Sequence, residues 1–234
     1  MTALNLKVIE MLNDLYLPDY KRLGTMLIGA PGSGKSKFTE VTLKEFLARN
    51  DDENLRVMYV CPKQEMYLGE GTFTPIDKLE KHFSKNRVAV VYPDPMNVEA
   101  DVDYLINFLF DLREYNPEFK CVFCLDDSQI FLSSRKAPSD SFLRLSLTGR
   151  SRGIRFVSIS HAPVFSKALE GSTSYIVHFR TLLSPIHVTD FRNRYGYDPE
   201  PYITSLNEVP YSHIFFDVTT GKSQMMSPLE IQPA

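Results

Sequence analysis

No stretch of this sequence stays apolar for the roughly 18–20 residues that a helix needs to cross a bilayer. A membrane-spanning chain is therefore not expected. The opening residues, MTALNLKVIEMLNDLYLP, lack a basic leader, an apolar h-region and a small-residue cleavage site. They read as an amphipathic helix and not as a signal peptide, so an intracellular protein is expected. Cysteine is scarce: three in 234 residues fit a reducing compartment and leave no room for a disulfide framework. Cys121 and Cys124 do make a C-x-x-C, but KCVFCLDD has the pattern of a buried strand. Strand residues three apart point to opposite faces, so these sulfurs are expected in the core and not on one metal. A surplus of positive charge is missing too, since 26 Lys and Arg against 29 Asp and Glu leave a net charge of −3. That argues against a surface broadly clad for nucleic acid, though not against a few basic loops gathered by oligomerisation. Repeats, low-complexity tracts and linkers are also lacking, and one domain is the simplest expectation.

What is present is an alternation of short apolar runs and helical patterns. Strands are expected at Thr25–Ile28, Arg56–Val60, Val88–Tyr92, Cys121–Leu125, Phe156–Ser160 and Tyr175–Phe179. Helices are expected at Leu4–Leu15, Lys35–Ala48, near Ile76–Phe83, at Val98–Tyr115 and at Ser141–Arg150. The strands read as continuous apolar segments, as strands buried on both faces do. The fold class is therefore α/β, with a mostly parallel sheet in a three-layer arrangement. Residues 1–20 form an N-terminal helix, 25–180 the core and 184–234 an extension carrying a hairpin that turns at Thr220-Gly221.

The segment Gly29-Ala30-Pro31-Gly32-Ser33-Gly34-Lys35-Ser36 fits G-x-x-x-x-G-K-[ST], with a strand before it and a helix after it. Such a loop turns its backbone N–H groups inward around phosphate oxygens, and the helix N-terminus adds unpaired donors and partial positive charge. Lys35 is placed to reach the β- and γ-phosphates, and the Ser36 hydroxyl to ligate Mg²⁺. ATP and Mg²⁺ are the expected ligands.

A P-loop does not name a reaction; a second acidic element does. In VFCLDDSQIFL an apolar run ends at Asp126-Asp127, and ligand sites of parallel sheets lie at the carboxyl ends of strands. Asp126 is the candidate metal ligand, and Asp127 the group that polarises attacking water. The long gap between Lys35 and Asp126 holds two expected strands, which favours the motor type with an additional strand over a compact nucleoside kinase. No GTPase-style N-K-x-D base motif is found. A third element, GRSRGIRFVSISHAP, leads from a basic helix end into a strand tipped by Ser160-His161. His161 is a candidate γ-phosphate sensor. Arg150, or alternatively Arg152, is a candidate arginine finger toward a neighbouring subunit. The strands ending in Asp126 and His161 are expected to flank the strand that ends in Ile28.

These three elements resemble the FtsK/HerA superfamily of DNA-pumping ATPases. The likeness spans roughly residues 25–180, and is closest to the compact genome-packaging ATPases of viruses with double-jelly-roll capsids, often with an internal membrane. The resemblance matches Lys35 and Ser36 to the phosphate lysine and magnesium serine, Asp126 to the metal-site aspartate, and Arg150 to the arginine of the G-R-x-x-G element. Asp127 stands where Glu is usual, and His161 where many relatives have Gln. The family implies a homo-oligomeric ring on double-stranded DNA, with capsid or membrane-vertex proteins as further partners. The location implied is the host cytoplasm or the packaging vertex of the virion. The shortness of the chain favours packaging over segregation. Arg135 and Lys136 in SSRKAPSD, and Lys63 in the loop after the second strand, are candidate contacts to DNA phosphates without base readout. Arg192 and Arg194 form a further basic patch, between subunits in such a ring. The expected function is ATP-driven packaging of a viral genome. A small-molecule phosphotransferase is the alternative enzyme, against which stands the lack of an Arg-rich lid. A non-hydrolysing nucleotide-binding scaffold is the third reading, prompted by Asp127.

Overall fold

The buried apolar runs become the strands of one sheet: β1 (Gly24–Ile28), β2 (Leu55–Val60), β3 (Val88–Val91), β4 (Lys120–Leu125), β5 (Ile154–Ser160), β6 (Thr173–Phe179), β7 (His213–Asp217) and β8 (Lys222–Met226). The helices are α1 (Ala3–Tyr16), α2 (Lys35–Arg49), α3 (Leu79–Phe83), α4 (Val98–Tyr115), α5 (Asp140–Thr148), α6 (Pro185–Tyr195) and α7 (Ile203–Glu208). The computed structural model describes residues 3–18, 24–63, 68, 73–132, 137–161, 171–181 and 183–228.

The sheet order is β3-β2-β4-β5-β1-β6-β7-β8. Pairings from β3 through β6 are parallel, and β6–β7 and β7–β8 are antiparallel. The expected hairpin is therefore built onto the same sheet. One expectation is corrected. The strand that ends before His161, β5, does lie against β1, but β4 lies beyond β5 and the other neighbour of β1 is β6. The strand leading to Asp126 is thus separated from the P-loop strand by one intervening strand. Strand order is set by long-range pairing, which the local sequence pattern does not carry.

Two apolar layers sandwich the sheet. On one face Met26, Ile28, Phe123 and Phe156 pack with Leu105 and Leu109 of α4, Phe142 of α5 and Phe191 of α6. On the other face Leu27, Val122 and Val157 pack with Leu12 and Leu15 of α1 and Phe38 and Phe46 of α2. Cys121 belongs to the first layer and Cys124 to the second, and both are buried free thiols. The alternation of strand side chains separates them as expected. Helix α4 matches its expected span because Val102, Leu105, Ile106 and Leu109 recur on one buried stripe. Truncating one of these, as in Leu105→Ala, would cost roughly 2–5 kcal/mol.

The N-terminal helix is tied down by a buried cation. Arg155 on β5 is fully buried; its Nε donates to the Leu15 carbonyl at 3.0 Å and a terminal nitrogen to Thr25 Oγ1 at 3.0 Å. It also bonds the Asp14 carbonyl. These are the last carbonyls of α1, which have no partner within the helix and carry its partial negative charge.

Candidate nucleotide site

Parallel pairing brings the carboxyl ends of β2, β4, β5 and β1 to one rim. Ile28 is level with Ser160, Leu125 with Ser158, and Val60 with Leu125. The residues that follow, Gly29, His161, Asp126 and the Cys61–Lys63 turn, therefore converge. Gly29 N–H donates to the Ser160 carbonyl at 3.2 Å and Asp126 N–H to the Val60 carbonyl at 2.9 Å.

The P-loop residues Gly29, Ala30, Pro31, Gly32, Ser33 and Gly34 make the turn from β1 into α2, which begins at Lys35 and Ser36. Gly34 is the N-cap of α2 with φ of 97°, a left-handed conformation that glycine supplies without a Cβ penalty. Gly29 is needed for close approach: a Cβ there would lie 2.5 Å from Ser33 Oγ and 2.7 Å from Phe179 Cβ. The buried Ser33 Oγ has no hydrogen-bond partner among the described residues, and Ser36 is exposed on the first turn.

Lys35 is only 4% exposed. Its Nζ donates to the Gly29 carbonyl at 2.6 Å and the Ala30 carbonyl at 3.1 Å, and lies 3.2 Å from His161 Nδ1. Burial pulls its pKa down to about 8, against the opposing pull of Asp126 and Asp127. Asp126 Oδ2 accepts from the Tyr59 hydroxyl at 3.0 Å and Oδ1 from the Asp127 N–H at 2.9 Å. Burial raises the Asp126 pKa, and the two bonds fix the carboxylate plane.

Asp127 sits at φ of 50° with its carboxylate 3% exposed. Lys63 Nζ lies 2.9 Å from its Oδ2, His161 Nε2 lies 2.9 Å from its Oδ1, and Gln129 Nε2 donates to that oxygen at 3.0 Å. Gln129 Oε1 accepts from the His161 backbone N–H at 3.3 Å, tying the ends of β4 and β5 together. His161 thus stands between two lysines, with Lys63 Nζ 2.7 Å from its Nε2. Burial and both ammonium groups lower its pKa, so the ring is neutral. A neutral imidazole offers one acceptor nitrogen, so it can satisfy only one of the two ammonium groups. Two ammonium groups and an imidazole thus meet the Asp126-Asp127 carboxylates at one rim.

This donor set also suits Mg²⁺. Among the described residues no group of three or more His, Cys, Asp or Glu side chains could hold a metal ion by itself. Magnesium is usually held by one or two carboxylates with substrate phosphates and water supplying the rest. Asp126, oriented by Tyr59 and with lone pairs remaining, and the exposed Ser36 hydroxyl meet that requirement.

The other sequence candidates lie elsewhere. Lys63 is at the rim against Asp127, half-exposed. Arg135 and Lys136 lie outside the described residues. Arg150 and Arg152 are exposed in the turn that leads into β5. Their rim is opposite the P-loop, a strand of seven residues away, roughly 20 Å. Neither can approach the P-loop of its own chain. Arg192 pairs with Asp198 at 3.0 Å and Glu200 at 2.5 Å within the chain, and Arg194 lies 3.4 Å from Asp190. Sequence reading gave no role to Tyr59 or Gln129 and did not bring Lys63 to the carboxylates. Gln129 stands two residues past Asp127, and that adjacency was the only available signal.

Two clefts border the cluster. One of about 680 Å³ opens from Asp127 and Lys63 past Met96, Glu99 and Ile130. The other, of about 260 Å³, lies on the far side of the P-loop against Gly34, Lys37 and Tyr211.

No protein-family model matches the chain, and no curated protein is similar to it in sequence. Solved structures are. The DNA-packaging ATPase B204 of Sulfolobus turreted icosahedral virus superposes with a TM-score of 0.71 at 14% identity, covering 92% of this chain and 100% of that one. The genome-packaging NTPase B204 of Sulfolobus turreted icosahedral virus 2, in complex with ATP-gammaS, gives 0.68 at 13%, covering 91% and 98%. The cytoplasmic domain of the type VII secretion ATPase EccC of Thermomonospora curvata gives 0.61 at 16%, covering 90% of this chain and 26% of that one. The chain shares the fold of these ATPases.

Proposed function

We propose that the chain is an ATPase that drives double-stranded DNA into a viral capsid. The observation that carries the reading is the placement of three groups on one rim. Lys35 follows β1, Asp126-Asp127 follows β4, and the intervening β5 delivers His161 between them. This is the additional-strand arrangement of motor ATPases. The likeness to two packaging ATPases supports the choice of DNA as the moved substrate.

In this reading ATP lies in the P-loop with its β- and γ-phosphates on the loop amides. Lys35 exchanges the Gly29 and Ala30 carbonyls for phosphate oxygens, whose negative charge opposes the burial that lowers its pKa. Bound Mg²⁺ would neutralise phosphate charge, and Asp126 and Ser36 are the residues that would hold it. Asp127 orients the attacking water and takes its proton at a carboxylate oxygen. For that, Lys63 must yield its place on Asp127. His161 senses the γ-phosphate through Lys35, because its Nδ1 acceptor loses the lysine when Lys35 turns to phosphate. Arg150 reaches a triphosphate only in another subunit, so the finger acts in trans and the active unit is an oligomer. Arg135, Lys136 and, once released, Lys63 contact DNA phosphates.

The ion pair between Lys63 and Asp127 favours one rival, a nucleotide-binding scaffold whose base stays neutralised. Turnover decides. ATP hydrolysis should rise steeply with protein concentration and with added duplex. An Arg150→Ala chain mixed with a Lys35→Ala chain should regain activity, because mixed interfaces pair an intact P-loop with an intact finger. Nucleotide binding without turnover, even on duplex, would leave the scaffold. Turnover without rescue on mixing would remove the trans finger.

A further inference from the structure

The 260 Å³ cleft beside the P-loop is lined by Gly34, Lys37, Phe38, Val41, Phe179, Tyr211 and Pro228. We infer that this cleft holds the nucleobase of the bound nucleotide by stacking on Tyr211, with little readout of which base it is. The inference rests on the reading of the P-loop as a nucleotide site.

Three observations converge. The first is continuity. Gly34 and Lys37 flank the start of α2, whose N-terminal amides face the phosphates nearest the sugar. A nucleotide leaving that end of the phosphate cradle enters this cleft. The opposite end, toward Lys35 and His161, is already taken by the carboxylates. The second is Tyr211. It is held at φ of 62°, a left-handed conformation that is uncommon for a bulky residue. Its large ring is nevertheless 61% exposed. The ring stands over the P-loop, where a Cβ added to Gly34 would lie 2.9 Å from it. A strained, exposed aromatic wall against a phosphate loop is a geometry that functional sites hold and core packing does not need.

The third is the floor. Phe38 and Phe179 meet edge to face at 5.3 Å, and the His213 ring packs against both, at 4.8 and 5.1 Å. His213 is buried, and burial pushes it down to about 4 against a small opposing pull from the Tyr211 backbone. It is therefore neutral and behaves as one more apolar ring. The polar side-chain atoms among the lining residues are the Tyr211 hydroxyl and the Lys37 ammonium, which is 3.2 Å from Glu40. Ligand pockets run from roughly 300 to 1,000 Å³, so this cleft has room for a ring system and not for a whole nucleotide. A wall of rings stacks on any base, while a site rejects the wrong base strongly only when its own buried polar groups would be left unpaired.

The test is calorimetric titration of the full chain with MgATP, MgGTP and magnesium tripolyphosphate. Tyr211→Asn removes the ring while keeping a residue that tolerates positive φ, and Tyr211→Phe keeps the ring. The native chain should bind ATP and GTP within about tenfold of each other. Tyr211→Asn should weaken both by about tenfold and leave tripolyphosphate unchanged, and Tyr211→Phe should restore both. Equal losses for ATP and tripolyphosphate, no loss at all, or rejection of GTP beyond about a hundredfold would each overturn the inference. Lys35→Ala separates the two readings. If it abolishes binding of ATP and tripolyphosphate while Tyr211→Asn changes nothing, the cleft assignment falls alone. If the native chain binds neither probe, the P-loop reading falls and the cleft assignment with it.

Discussion

Two buried cations sit at opposite rims of the same sheet, and they are satisfied very differently. Arg155, fully buried, donates to the closing carbonyls of α1 and to Thr25 Oγ1. Its partners carry partial negative charge and belong to the fold. Lys35, 4% exposed, donates to two P-loop carbonyls and faces a second lysine across His161. The first cation holds two elements together. The second is bonded to the carbonyls of the P-loop itself and stands among Asp126, Asp127 and Lys63. The difference teaches that burial of a charge does not by itself mark a site; whether its neighbours are fold carbonyls or other titratable groups does.

The largest expected effect separates the two roles. Lys35→Met should weaken ATP binding by roughly a thousandfold, since it deletes the charge-assisted contacts to phosphate. The same change should leave thermal stability equal or higher. The pKa of Lys35 is lowered, so keeping it charged below about pH 8 opposes folding, and the neutral side chain relieves that. A clear fall in melting temperature would erase the contrast with Arg155. Arg155→Met should do the reverse. It should destabilise by roughly 1–3 kcal/mol in denaturant titration, because the closing carbonyls of α1 lose a buried donor. ATP affinity of the folded fraction should stay unchanged.

A smaller effect follows from pH. Phosphate contact favours charged Lys35 and raises its pKa, so binding takes up a proton once the free protein has lost it. Affinity should be flat below about pH 8 as far as this group is concerned, then fall by up to about tenfold per pH unit above it. Proton uptake measured in two buffers of different ionisation heat would check the sign. The smallest effect belongs to Lys63→Met. Lys63 helps lower the Lys35 pKa, so its removal should move the alkaline limb upward. A downward move would mean that Lys63 and Lys35 do not share a field.

Much of this rim was legible in the sequence, for a physical reason. The P-loop spacing, the carboxylates after an apolar run and the strand ending in Ser160-His161 are local patterns. Strand ends in a parallel sheet share one rim whatever their order. The long gap after Lys35 pointed to the additional-strand type, but the place of each strand in the order was not legible. Nothing in the segment around Cys121–Leu125 says that β5 and not β4 lies beside β1, because pairing is decided across the whole sheet. Lys63 shows the same limit. Its loop reads as a basic surface segment, yet the pairing of Val60 with Leu125 carries it to Asp127. Tyr59 reaches Asp126 through the same pairing. The left-handed conformation of Asp127 and the ring of Tyr211 over Gly34 depend on tertiary fit, which composition does not encode.

The central claim, that the carboxylates of β4 and the P-loop of β1 form one hydrolytic site, is tested most directly by Asp127→Asn. Asparagine tolerates the same positive φ and keeps the shape while removing the charge. Affinity for ATP and steady-state turnover on duplex should be measured on the same preparation. The expected result is ATP affinity close to that of the native chain with turnover lowered by roughly 10²–10⁴-fold. Turnover equal to that of the native chain would contradict the claim and move the base elsewhere.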